Sequence, residues 1–122
     1  MRKYKLIVGA AGLVAGLSLQ GVVPAMAADL ANGHSQACSG NAQWHFVNNQ
    51  TGGTQVPGTL TAEFSTGQGS AFYTVTSPKV LQSVQHFYVT TAGSATLVDA
   101  TTNLPGRLVL SDYSCVPGKT KK

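Results

Sequence analysis

Any chemistry in this chain must come from a short set of side chains: His34, His45 and His86, four carboxylates, and two cysteines. The carboxylates are Asp29, Glu63, Asp99 and Asp112. A glycosidase needs two carboxyl groups converging across a cleft. Glu63 falls on the polar side of an alternating run, and Asp99 and Asp112 fall near the ends of others, so the spacing pairs none of them. Acyl transfer needs a nucleophile, a histidine base and an orienting group. Serine is plentiful, but no Gly-x-Ser-x-Gly elbow occurs. For a metal, His45 and His86 could meet across adjacent strands, with His34 as a third ligand if its segment orders. Two imidazoles alone make an incomplete zinc or copper site. The simpler expectation is two strand histidines hydrogen-bonded near the surface, with no metal, no cofactor and no enzymatic activity. Gly67-Gln68-Gly69-Ser70 lacks the lysine of a phosphate loop and leads into a strand, so it reads as a hairpin turn.

Cys38 and Cys115 stand far apart, with no Cys-x-x-Cys and no nearby pair of histidines. In an exported chain an even count defaults to pairing, and two cysteines allow one connectivity. A Cys38–Cys115 bridge would close most of the chain into one loop, worth roughly 4 kcal/mol in the chain-entropy treatment.

Export itself is written at the start. Met1-Arg2-Lys3-Tyr4-Lys5 is a basic head, Leu6 to Val23 carries no charge, and Ala25-Met26-Ala27 is a small-x-small cleavage site. That is the layout of a secretory signal peptide. A retained anchor is the alternative, but the run is at the short end for a span and diluted by Gly, Ser and Ala. The expected organisation is a signal over 1–27, a loose lead-in over 28–37, one domain over 38–116, and a basic tail over 117–122. Between head and tail the only cations are Lys79 and Arg107, so the high pI of 9.3 belongs to the ends. No cationic stripe exists to hold nucleic acid, and no membrane insertion is expected after cleavage.

The elements that must position these groups follow a period of two. In Thr59-Leu60-Thr61-Ala62-Glu63-Phe64-Ser65 the apolar residues share one face and the polar ones the other. Further strands are expected over 43–48, 71–76, 80–91, 94–99 and 107–111. They are separated by Gly52-Gly53, Pro57-Gly58, Gly67-Gln68-Gly69, Ser77-Pro78, Ala92-Gly93 and Pro105-Gly106. Short strands with regular breaks predict an all-β fold, an antiparallel β-sandwich or barrel. Trp44, six residues after Cys38, is placed to cover a disulfide in such a core.

The stretch Trp44-His45-Phe46-Val47-Asn48-Asn49-Gln50 resembles the opening strand of small secreted modules of Gram-positive bacteria, where a Cys precedes a Trp-His-Phe-Val strand. Thr59 to Phe64, Gln85 to Val89, and Arg107 to Ser111 followed by Cys115 are similar to their later strands. The resemblance implies an immunoglobulin-like sandwich and no catalytic residues.

The resulting expectation is a secreted or wall-associated, non-catalytic binding module for an extracellular protein or cell-wall carbohydrate. Its contacts are expected on loops 48–58, 66–70 and 99–106, with Asn48, Asn49, Gln50, Thr51, Gln68, Thr101, Asn103 and Arg107 as candidates, because loops on a rigid scaffold carry recognition. A secreted inhibitor of an extracellular hydrolase, with Asn48 to Pro57 as bait, is the alternative. A structural protein assembling through sheet edges is another.

Overall fold

A computed structural model describes residues 27–116. The rest of the expected signal segment and the tail from Pro117 lie outside them. Nine strands follow: β1 (Ala28–Asp29), β2 (Ala37–Cys38), β3 (Asn41–Asn49), β4 (Thr59–Thr66), β5 (Gly69–Thr76), β6 (Lys79–Leu81), β7 (Val84–Thr91), β8 (Ala95–Thr102) and β9 (Arg107–Val116). No helix occurs among the described residues. Sheet I runs β9-β3-β7-β6, and sheet II runs β1-β8-β4-β5 with β2 also on β8. Every strand pair is antiparallel. The chain crosses between sheets after β2, β3, β5, β7 and β8, while the β1–β2 connection and the β4–β5 and β6–β7 hairpins stay within one sheet. This is the expected two-layer antiparallel β-sandwich.

Alternation builds the core. Trp44 and Phe46 from β3, Leu60, Ala62 and Phe64 from β4, Phe87 and Val89 from β7, and Leu108 from β9 all point between the layers and are buried. Burying each large side chain contributes about 1.5–3 kcal/mol against the entropy of ordering it. Trp44 stacks on Tyr113 with ring centroids 4.4 Å apart and leans on Phe64 at 5.0 Å. Its Nε1 donates to Thr91 Oγ1 at 2.9 Å, which satisfies the one polar atom the ring buries.

Two β-bulges reset the alternation. In β9 the register slips between Leu110 and Asp112, with Ser111 as the extra residue. Tyr113 therefore turns inward after Leu110, and Cys115 follows on the same side. In β8 the slip lies between Leu97 and Asp99, so Val98 and Asp99 both face water while Ala100 and Thr102 return to the core. The inward Cys115 meets Cys38 in the disulfide, with Cα atoms 5.7 Å apart. The bridge ties β2 on the edge of sheet II to β9 on the edge of sheet I.

The segment expected as a loose lead-in is built into the sandwich instead. Ala28 and Leu30 are buried, and Thr101 Oγ1 donates to Ala28 O at 3.1 Å. Leu30 N donates to Ala100 O, Ala31 N to Leu108 O, and Ser35 N to Leu97 O. The Asn32 amide closes both hydrogen-bonding positions of Leu110. Its small polar residues look loose in sequence, but they serve as edge pieces whose backbone supplies the bonds. The strand expected over 80–91 is also divided. Gln82 and Ser83 form a tight turn, with Gln82 at φ +48°, and fold β6 back onto β7.

Candidate functional site

The outward face of sheet I gathers the histidines. His45 and His86 lie diagonally across the β3–β7 pair, where His45 is opposite Tyr88 and Val47 opposite His86. Their rings stack at 5.1 Å, Tyr88 stacks on His45 at 4.7 Å, and His45 Nε2 and His86 Nδ1 share a hydrogen bond of 2.8 Å. Asp112 sits opposite His45 on β9, and Lys79 opposite His86 on β6. His34 does not join them; it lies over sheet II with Nε2 3.5 Å from Asp99. Two of the three expected metal candidates therefore meet and the third is elsewhere. No group of three or more His, Cys, Asp or Glu placed to hold a metal is found among the described residues.

Burial holds the His45 imidazole below its ordinary value, the neighbouring His86 and Lys79 push the same way, and Asp112 opposes them. The folded protein thus takes up this proton less readily than the unfolded chain. The stability that His45 contributes is complete above the unfolded value, about 6.5, and is lost as pH falls through it and on through the lower folded value. Urea midpoints should drop between pH 7.5 and pH 5, and His45→Gln should flatten that profile. An equally steep profile in the variant would contradict this assignment.

The loop end behaves differently from expectation. Asn48 and Thr51, both candidate contacts, are buried. Asn48 Nδ2 donates to Pro105 O at 3.0 Å, and its Oδ1 accepts from Thr102 Oγ1. Gln85, also buried, accepts from Gly58 N at 2.7 Å and donates to Val56 O at 3.0 Å. A buried amide is costly unless bonded, and these two spend their bonds locking loops 50–58 and 103–106 onto the scaffold. Gly106, at φ +102°, lies so close to Asn49 O and Gln50 O that no side chain fits there. Asn103 Oδ1 accepts from Thr59 N at 2.8 Å, a loop pin on an exposed residue. Gln50, Gln68, Thr101 and Arg107 are exposed and Asn49 half-buried.

The outward face of sheet II carries an exposed aromatic and a carboxylate pair that sequence reasoning missed. Glu63 on β4 stands between Phe72 on β5 and Asp99 on β8, as register partner of both. With Thr61, Ala100 and Thr101 they line a shallow depression of about 120 Å³. Phe72 is 65% exposed, the most exposed aromatic of the described core strands. Ser70 Oγ donates to Glu63 Oε2 at 3.2 Å, and Thr61 and Thr74 hydroxyls meet at 3.3 Å. Carboxylates directly opposite each other repel; here Ser70 flanks one and His34 the other. The alternation of Phe72, Thr74 and Thr76 against Tyr73 and Val75 was the available signal for the aromatic. Nothing local signalled the Glu63–Asp99 pair, which joins strands distant in sequence.

The fold and this face together define a small disulfide-tied β-sandwich with a flat, hydroxyl- and carboxylate-rich sheet surface around one exposed ring. No family model matches the chain, and neither a curated protein nor a solved structure matches it.

Proposed function

We propose that the chain is an exported, non-catalytic binding module that holds a hydroxyl-rich glycan on the outward face of sheet II. The observation that carries this reading is Phe72 standing exposed beside the Glu63–Asp99 pair in a shallow depression. A pyranose ring offers an apolar C–H face to an aromatic and vicinal hydroxyls to acceptors. Ionised carboxylates are acceptor-only, which suits a ligand rich in O–H donors; the Thr101 hydroxyl, whose proton is given to Ala28 O, adds another acceptor, and the Thr61 hydroxyl serves either role. An open, shallow site accepts a chain passing through rather than enclosing a small molecule.

Export is supported by the tripartite segment over 1–27 and by the Cys38–Cys115 bridge, since disulfides persist in oxidising compartments. No helix of the described residues is long and apolar enough to cross a membrane. The resemblance of Trp44 to Gln50 to secreted Gram-positive modules points to a cell-surface setting.

Affinity electrophoresis of the mature chain in gels containing soluble polysaccharides and cell-wall glycans should retard it. Phe72→Ala should weaken retention at least about tenfold, the equivalent of about 1.4 kcal/mol, with the fold intact because the ring buries little. Migration unaffected by every glycan tested would remove this reading.

A second reading has one specific observation behind it. Val56 projects at 72% exposure from a loop whose backbone Gln85 clamps on both sides. A preorganised loop lowers the entropic cost of binding, as an inhibitor of an extracellular hydrolase would require. Failure to inhibit a panel of proteases and glycosidases would exclude it.

A further inference from the structure

Two of the four sheet edges are closed by the protein's own chain, and a third is cut short. On sheet II the β8 edge is covered by β1, β2 and the backbone bonds of Leu30, Ser35 and Gln36. On sheet I the β9 edge is bulged at Ser111, occupied by Ala31 and Asn32, and tied down by the disulfide. At the far side of sheet I, β6 is three residues long and carries Lys79, and the adjoining edge of β7 is stopped by the Ser77–Pro78 corner, where Ser77 Oγ donates to His86 O at 2.8 Å.

The fourth edge is unlike the others. β5, Gly69-Ser70-Ala71-Phe72-Tyr73-Thr74-Val75-Thr76, pairs along its whole length with β4 and with no other strand among the described residues. It has no charge, no proline and no bulge. Those are the devices by which proteins blunt an edge, and this chain applies them at Lys79, Pro78 and Ser111. Their omission from β5 leaves a straight row of backbone donors and acceptors.

We propose that β5 pairs antiparallel with β5 of a second copy, joining two sheets II into one continuous sheet across a two-fold axis. An antiparallel edge is self-complementary, so one surface patch serves both partners. With the axis at Tyr73, Phe72 faces Thr74 and Ser70 faces Thr76 on the outer side, while Ala71 faces Val75 on the inner side. With the axis at Phe72, the two rings meet and Ser70 faces Thr74. Neither register brings two charges together, because the strand has none. The occupant follows from this: a charged extended segment would find no counter-ion along β5, whereas a copy of β5 meets only side chains of its own kind. Each copy has one such full-length uncharged edge, the short β6 edge carrying Lys79, so pairing through β5 closes at two rather than growing into a fibre. One short strand pair is a small interface, which makes the dimer reversible. The proposal does not rest on glycan binding, but it sets two Phe72 faces side by side, so one polymer could engage both and gain avidity.

Sedimentation equilibrium of the mature chain from micromolar to millimolar concentration tests this. A reversible monomer–dimer equilibrium with nothing larger is expected. S70K/T76K should remain monomeric throughout with an unchanged far-UV spectrum. Should that variant fold poorly, hydrogen exchange of the wild-type chain carries the test: β5 amides should gain protection as concentration rises. The proposal is overturned by a monomer at every concentration, by larger assemblies, by equal dimerisation of S70K/T76K, or by dimers that leave β5 exchange unchanged.

Discussion

Replacing Cys38 and Cys115 together by alanine is expected to lower the unfolding free energy by about 4–5 kcal/mol. The bridge spans a sequence separation of 77, which fixes the size of the loop it removes from the unfolded ensemble. Loop-closure entropy gives a figure of that order for such a loop. Small domains have total stabilities of about 5–15 kcal/mol, so the loss brings the chain close to its unfolding threshold. The site also shows why reduction acts on the whole body. Cys38 is buried on β2, and Cys115 lies two residues beyond Tyr113, which stacks on Trp44. Parting the sulfurs frees an edge strand of each sheet at once. Urea titrations with and without dithiothreitol should show the midpoint collapse in the wild type and no further change in the double variant. A midpoint that ignores the reductant would show that the bridge contributes nothing.

The second large effect is expected at Trp44. Trp44→Ala should cost about 3–5 kcal/mol, the range for deleting a buried large aromatic. The side chain is fully buried, stacked on Tyr113 and packed on Phe64, so its removal opens a cavity shared by both sheets. It also strands the Thr91 hydroxyl, itself buried. Trp44→Phe should separate the two contributions, retaining most of the packing and losing about 1–3 kcal/mol for the missing hydrogen bond. Far-UV circular dichroism is the right probe, because Trp44 is the chain's single tryptophan and tryptophan emission disappears with it. A cost near zero for Trp44→Ala would mean that the two layers do not meet on this ring.

The parts of this architecture that are local were legible in the sequence. Thr59 to Ser65 alternates cleanly, and Leu60, Ala62 and Phe64 are the inward residues. Two cysteines permit one pairing, and that pairing is present. What escaped was set by relations between distant segments. The bulges at Ser111 and Val98 break the period of two without a Gly or Pro to mark them, so the inward turn of Tyr113 and the outward turn of Asp99 had no local signature. Asn48 and Thr51 look like loop-surface residues by type, but neighbouring loops close over them and turn their side chains inward. Ala28 to Gln36 has no apolar periodicity because it contributes backbone bonds and only an occasional buried side chain. The histidine pair was anticipated as a meeting across neighbouring strands; the Glu63–Phe72–Asp99 row required knowing that β4 lies between β5 and β8.

One arrangement bears on how the molecule acquires its shape. The strand at the heart of sheet I, β3, comes early in the chain, yet one of its two neighbours is β9, the last of the described strands. A nascent polypeptide can therefore assemble hairpins as it emerges, but sheet I stays half-built until its final segment arrives. Such long-range closure is slow compared with local contacts. Until β9 docks, β3 has only β7 beside it, so the sandwich cannot lock before nearly all of the described strands are in place.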